Sequence, residues 1–342
     1  MHSENNFYDI KTINCIEIDV SSYCNAYCGS CDRNVNGGEV VKNLPLVNLS
    51  YNKWKSLITK ENLKYINEIK FNGNFGDFSM HPNIIDMLEE LNEVDPDLFI
   101  NAHTNGGARN ESFWKQLGIT LNKFHNHRVV FGIDGLEDSH NIYRRGLNWN
   151  ARIKNARAFI NANGYAIWKC IVFDYNTNQL KNIENFAKEQ GFSVFQTNRN
   201  HNIVPMHLPS YKKFPDVTIT SPKDFSKYKV QKIFKNENFK HKKFRQNHSI
   251  RPIGTFNCLY GKEGMIQIDM EGYVWPCCWL NGRRFENNNF NYDHTLNIEN
   301  KTLNEILDSN MFNSYLKNAW QNKTITTCNK CPGINAPPVY EI

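Results

Sequence analysis

Six strand-like runs separated by helix-like segments constrain the fold of this chain more than any other feature. The runs are INCIEIDV (13–20), INEIKFNG (66–73), DLFINAHTNGG (97–107), RVVFGIDG (128–135), YAIWKCIVFDYN (165–176) and FSVFQTN (192–198). Apolar residues at helical spacing fill 83–94, and further helices are expected over 111–119, 149–162 and 177–191, the last closed by Gly191. Successive strand–helix units with short connections build a parallel sheet with right-handed crossovers. Six strands fall short of the eight in a closed barrel. The expectation is an α/β chain with an open, partial (β/α)6 TIM-like barrel; periodicity alone leaves a doubly wound sheet as the alternative.

The pattern breaks near Asn200, which divides the chain into a barrel (1–199), a bridging segment (200–254) and a small C-terminal module (255–342). The bridge carries Pro205, Pro209, Pro215, Pro222 and Pro252 and is expected to hold one or two helices. It is also basic: from Tyr211 to Arg251 there are twelve Lys or Arg against Asp216, Asp224 and Glu237. The whole chain has a net charge of +6, so the remainder is slightly acidic. Such a stretch suits an acidic or phosphorylated partner or nucleic acid, or forms a solvated amphipathic helix and linker. In the C-terminal module, GMIQIDMEGYVWPCCW reads as a hairpin turning at Glu271-Gly272, followed by helices over TLNEILDSNMFNSYLKNAW.

The chain has 342 residues, 40% of them hydrophobic, enough for a large core. No apolar stretch approaches 18 residues, so no membrane span is expected. The polar N-terminus has no signal-peptide core, which points to the cytoplasm. Ten cysteines in such a chain then indicate metal or redox work ahead of disulfides. Cys24, Cys28 and Cys31, spaced Cys-x3-Cys-x2-Cys, lie just past the first strand, where barrel enzymes place active-site loops. Three thiolates from one loop converge on a soft metal centre but leave it one ligand short, since structural zinc and ordinary iron–sulfur clusters take four. Four further cysteines, Cys258, Cys277, Cys328 and Cys331, are enough to close one cluster or one zinc site, with Cys278 as an alternative to Cys277.

The triplet resembles the signature of the radical S-adenosylmethionine (SAM) superfamily. The C-terminal pattern is similar to that of its SPASM/Twitch subgroup: thirteen residues separate Cys258 from Gly272, four separate Gly272 from Cys277, and the Cys328-x2-Cys331 pair follows. The resemblance covers nearly the whole chain and is nearest the shorter Twitch form. It implies two [4Fe-4S] clusters. One, at Cys24, Cys28 and Cys31, presents an open iron to the amino and carboxylate groups of SAM. The other, at Cys258, Cys277, Cys328 and Cys331, is fully ligated. The segment NGNFGDFSMHP resembles the family's Gly-Gly-Glu-Pro motif, which binds the SAM ammonium, with Gly76 and Asp77 in its second and third positions; Phe75, Asp77 and Phe78 depart from the motif. GIDGLEDSHNIYRRG resembles a segment that holds SAM ribose and carboxylate, which places Asp134, His140 and Arg144 in register, with Gly132 replacing a Ser. Ser30 stands where relatives carry a bulky residue, so adenine stacking is lost while backbone contacts remain. Thr104 and Asn105 at the end of strand three, and Asn198 at the end of strand six, point at the site by location.

The expected activity is reductive cleavage of SAM to a 5′-deoxyadenosyl radical, with the electron supplied by a flavodoxin or ferredoxin. Hydrogen-atom abstraction from a substrate carbon follows, and the second cluster accepts an electron in a net oxidation. The basic bridge, and the dozen residues ahead of the first strand, favour a small, anionic or phosphorylated substrate over a peptide; modification or epimerisation of a ribosomally made peptide is the alternative. Cys170 in the fifth strand is the candidate hydrogen donor for epimerisation, and a buried core thiol otherwise. A reading of another class, a zinc-containing nucleic-acid-binding protein, leaves the triplet and the Gly76-Asp77 segment without a role.

Overall fold

The computed structural model describes residues 8–200, 205–235, 258–284 and 289–331. Thirteen strands are present among them: β1 (Cys15–Ile18), β2 (Tyr27–Cys28), β3 (Glu68–Phe71), β4 (Phe99–Thr104), β5 (Asn126–Gly132), β6 (Arg144–Arg145), β7 (Ala166–Val172), β8 (Val194–Arg199), β9 (Met206–Leu208), β10 (Val217–Ile219), β11 (Gln231–Ile233), β12 (Met265–Ile268) and β13 (Val274–Trp275). One sheet holds nine of them in the order β11-β8-β7-β5-β4-β3-β1-β12-β13. The six expected strands, β1, β3, β4, β5, β7 and β8, run parallel and adjacent within it. The α/β fold with a partial six-stranded parallel barrel is therefore the observed one.

Helices Ile84–Val94, Glu111–Leu121, Trp149–Asn161 and Leu180–Glu189 cover the outside of this sheet. Asn110 and Asn148 cap two of them by accepting from the backbone three residues on. Gly191 closes the last in a left-handed conformation (φ +89°). Alternate strand residues point outward and pack beneath these helices: Ile16, Ile18, Ile69, Phe71, Ile100, Phe131 and Trp168 are all buried in one core. Aromatic rings interlock there, with Trp114 to Phe131 at 5.3 Å and Trp168 to Phe192 at 5.1 Å between centroids.

The other parity faces the lumen, and it is polar. Glu17 and Asp19 continue β1 inward and are 1% exposed; the sequence pattern of a half-buried strand gives way to one buried on both faces. Tyr260 Oη donates to Glu17 Oε2 (2.8 Å), Lys70 Nζ lies 3.7 Å from the same oxygen, and Gln267 Nε2 donates to Asp19 Oδ2 (3.1 Å). Val130, Ile167 and Val194 form a small apolar cluster low in the lumen.

Two features depart from expectation. The described part of the bridging segment contains no α-helix. It forms the antiparallel hairpin β9–β10, a 3-10 turn at Phe225–Tyr228, and β11, which pairs antiparallel with β8. Pro205, Pro209, Pro215 and Pro222 recur too closely for a helix, since each removes a donor and disfavours helical φ/ψ in the residue before it. Residues 236–257 of the basic stretch lie outside the described residues. The second feature is the C-terminal hairpin. β12 and β13 are antiparallel as expected, with Gly272 at φ +87° in the turn, but β12 also lies parallel beside β1. The hairpin therefore extends the barrel sheet.

Candidate active site

The loop after β1 brings Cys24, Cys28 and Cys31 together, and each thiol is an electrostatic neighbour of another of the three. Its middle is pinned by a two-stranded sheet in which Tyr27 faces Arg145 and Cys28 faces Arg144. Burial, then Asp77 and Cys28, pushes the Cys24 thiol up to about 12, and burial raises Cys28 and Cys31 as well. Thiols held protonated this way become ligands when a cation replaces the protons. Among the described residues no three Cys, His, Asp or Glu side chains meet at the spacing of a single bound ion. The donor set, three soft thiols on one short loop, fits a cluster with one open iron.

Asp77 straps the next two strand ends together. Its Oδ1 accepts from Ser79 N (3.1 Å), Ser79 Oγ (2.7 Å) and Thr104 Oγ1 (3.0 Å); its Oδ2 accepts from Thr104 Oγ1 (2.9 Å) and Asn105 N (2.8 Å). With both oxygens engaged in this way, the carboxylate ties the segment after β3 to the end of β4. Asn105 carries the strap onward, donating from Nδ2 to Cys24 Sγ (3.5 Å) and Asn25 Oδ1 (3.0 Å). Gly76 is required sterically: a β-carbon there would stand 1.9 Å from Ser21 O. Two of the three motif departures, Phe75 and Phe78, have packing causes. Phe75 is fully buried with Leu44 and Met270, and Phe78 is buried against Phe71 and Trp114.

Asp134 organises the opposite wall. Its Oδ1 accepts from Ile171 N (2.7 Å) and its Oδ2 from Arg144 Nε (2.6 Å). Burial disfavours the Arg144 cation, but Asp134, then Cys28, more than offset this and hold it charged. Gly132 explains itself here, because a β-carbon on it would come within 2.7 Å of Arg144 Nη2. Ser30 Oγ lies 2.6 Å from Tyr143 Oη, so an aromatic ring from the 140s stands beside the small residue. Asn198 faces Ile171 in register, one strand from Asp134. His140 contacts no thiol; it meets Arg152 Nη1 through Nδ1 (3.3 Å) and packs on Trp149.

At the other end, Cys277 has Cys258 and Cys328 as electrostatic neighbours, and Cys328 has Cys331. Cys278 turns away toward Glu17, Tyr260 and Lys70.

The SPASM family model, described as an iron–sulfur cluster-binding domain, matches residues 258–332. SuiB of Streptococcus suis, solved with SAM bound, superposes with a TM-score of 0.59 at 14% identity over 90% of this chain and 68% of SuiB. The chain has the fold of the radical SAM enzymes and carries a SPASM domain. A second radical SAM structure, anSMEcpe with bound SAM, superposes with a TM-score of 0.53 at 18% identity, over 87% of this chain and 81% of that one. SuiB is also solved with its precursor peptide SuiA, and anSMEcpe with a peptide named Cp18Cys. No curated protein matches the chain in sequence. No helix among the described residues is long and apolar enough to cross a membrane.

Of the two readings of Cys170 in this SPASM-domain chain, parity supports the buried core thiol. Cys170 lies between Lys169 and Ile171 on β7, and shares the outer face with Trp168 and Val172 in the core beneath the helices. Its Sγ bonds to Ile171 O (3.6 Å) and receives Asn176 Nδ2 (3.8 Å). It is a packing thiol and does not face the lumen. Three residues went unseen in the sequence. Arg152 is fully buried and donates to Gly132 O (2.5 Å) and Asn105 O (2.9 Å), joining both walls. Tyr8 lies beside Cys258, Cys277 and Cys328. Tyr260 joins the C-terminal module to Glu17. None carries a local signal: an Arg on an amphipathic helix reads as solvated, and the two tyrosines act across the fold.

Proposed function

We propose that this protein is a radical SAM enzyme that cleaves SAM reductively and removes a hydrogen atom from a substrate carbon, with net oxidation of the substrate. One arrangement carries the reading. Cys24, Cys28 and Cys31 gather at the carboxyl end of β1, strapped by Asp77 and Asn105 on one side and by β6 on the other, over a lumen of ionic and amide side chains. A three-thiolate cluster bound there supplies an open iron for SAM and the electron that splits its sulfonium.

The chain's own residues do the rest. Asn105 fixes the orientation of Cys24 through Nδ2. Arg144, held by Asp134 through Nε and hydrogen-bonded to the Cys28 thiol, presents a planar fork that suits a carboxylate. In the lumen, burial and then Lys169, Lys70, Arg128 and Arg144 push His103 well below its ordinary range, so it stays neutral among four cations. That surrounding charge suits a polar substrate bearing an anionic group. Cys258, Cys277, Cys328 and Cys331 would hold a second cluster, which would supply an acceptor for the second electron. A peptide substrate is the second reading, supported by the peptides bound to SuiB and anSMEcpe.

The test is anaerobic reconstitution followed by dithionite and SAM. Formation of 5′-deoxyadenosine, abolished in the triple variant Cys24→Ala/Cys28→Ala/Cys31→Ala, is expected. Protein that holds zinc without sulfide and yields no 5′-deoxyadenosine overturns the reading.

A further inference from the structure

The bridging hairpin sits on the cluster loop. A β-carbon on Gly29 would meet Leu208 Cδ2 and Met206 Sδ, both at 2.7 Å, so these side chains rest directly on the backbone between Cys28 and Cys31. Arg145, 1% exposed and paired through its backbone with Tyr27, fastens the hairpin. Its guanidinium donates to the carbonyls of Leu208 (3.1 Å), Pro209 (2.7 Å) and Pro215 (2.8 Å). The hairpin is therefore fixed against the loop that carries the cysteine triplet.

The tip presents cations. Lys212 adopts a left-handed backbone (φ +52°), a strained choice for a lysine. The turn sets its Nζ over the rings of Tyr27 (4.4 Å) and Tyr211 (5.2 Å), with a 2.6 Å hydrogen bond to Tyr27 Oη. Lys213 follows, exposed. On the cysteine-bearing loop, Val35, 55% exposed, and Glu39 are exposed as well. Over 205–235 seven lysines, all exposed, oppose two acids, and Asp216, one of those two, is already engaged by His207 (3.3 Å).

We propose that this face, centred on Lys212, Lys213, Tyr27 and Tyr211, is the docking surface for an acidic one-electron carrier protein that reduces the cluster beneath it. The inference rests on the radical SAM reading and adds where the electron enters. Two observations carry it: the charge is complementary to an acidic carrier, and the cationic tip touches Tyr27, the residue before Cys28. Each SAM cleaved takes one electron. The carrier is oxidised by one electron, the C5′–S bond breaks, and methionine and the deoxyadenosyl group are released from each other.

The experiment compares two reductants on the reconstituted enzyme, with 5′-deoxyadenosine as readout. One arm uses flavodoxin with its reductase and NADPH, and the other uses dithionite. Lys212→Glu/Lys213→Glu, and separately Lys213→Glu to leave the Tyr27 contact intact, are expected to lower the flavodoxin-supported rate about tenfold or more, in keeping with the range of electrostatic steering. The dithionite-supported rate should stay within about twofold, on the same grounds that a small diffusible reductant needs no docking face. Added salt should slow the wild-type flavodoxin arm and leave the double variant little changed. Equal flavodoxin coupling in wild type and variants overturns the proposal, whatever other polyanion the face binds. If dithionite yields no product even in the wild type, the radical SAM reading fails; calorimetric binding of oxidised flavodoxin to wild type and variants then decides the docking claim by itself.

Discussion

The guanidinium of Arg144 lies against the Cα of Gly132, where a β-carbon would stand 2.7 Å from Nη2 and 2.8 Å from Cζ. The two residues are a pair: the missing side chain makes room for the fork, and Asp134 holds it there through Nε at 2.6 Å. Gly132→Ser therefore restores the commoner family residue only by displacing the arginine. It is expected to lose about 1–3 kcal/mol of stability, as overpacked sites do. It should also weaken SAM binding. Arg144→Ala in the same chain should recover most of the stability but not the binding. Chemical denaturation and equilibrium SAM binding on the three variants check this.

Removing the Asp77 carboxylate orphans donors on three residues, two of which, Thr104 and Asn105, lie at the end of β4. Asp77→Ala should cost about 1–3 kcal/mol for each donor left buried without a partner. Asp77→Asn keeps one acceptor oxygen and should cost less. If the strap positions Cys24 through Asn105, both variants should also load less iron at the N-terminal site, in the same order. Iron retained in full alongside lost stability would confine Asp77 to a structural role.

Cys277 and Cys278 are adjacent in sequence and opposite in environment. Anaerobically reconstituted protein is expected to hold about eight irons per chain, four from each of two clusters. Cys277→Ala should fall to about half of that, a single remaining four-iron cluster. Cys278→Ala should keep the full content, because its thiol faces Glu17, Tyr260 and Lys70. Iron and sulfide analysis with Mössbauer spectroscopy separates the outcomes.

Burial lowers His127 from 6.5 to about 4, and burial, then Arg152, does the same for His140. A histidine kept neutral by the fold contributes stability that is complete above its unfolded value. That contribution is lost as pH falls from about 6.5 toward about 4, because the unfolded chain takes up the proton first. Asp19 and Asp269, both raised by burial, act in the opposite direction. The readout is therefore a difference: urea-unfolding free energies near pH 7 and near pH 5 should diverge less in His127→Gln than in the wild type. Identical pH slopes would remove His127 from this account.

The parallel barrel was legible because its signal is local. Each outer-face run, such as Ile16 and Ile18 or Ile100 and Ala102, repeats at the period of a strand, and each helix brings its own caps. The cysteine triplet was legible for the same reason, since its spacing lies within one loop. Parity within β7 was the first loss: alternation shows that Lys169 and Cys170 face opposite ways, but not which of them faces the lumen. Contacts between distant segments were the second. Nothing near Cys15 announces Met265 as its neighbour, and nothing near Gly29 announces Leu208. The hairpin at 206–219 was hidden by its prolines, which rule out a helix without specifying what replaces it.

The pairing of β12 with β1 has a consequence for how the chain is made. From Cys15 to its partner Met265 is a separation of 250 residues. At a synthesis rate of roughly 5–20 residues per second, β1 waits about 12–50 s on the ribosome before its second neighbour is translated. Through that interval one side of the strand is an unpaired edge, the kind of surface that recruits other chains. Iron delivered to the triplet just beyond β1 would meet a half-built sheet. A variant in which the last eighty or so residues are supplied as a separate polypeptide should therefore depend on chaperones during expression in a way that the intact chain, once released, does not.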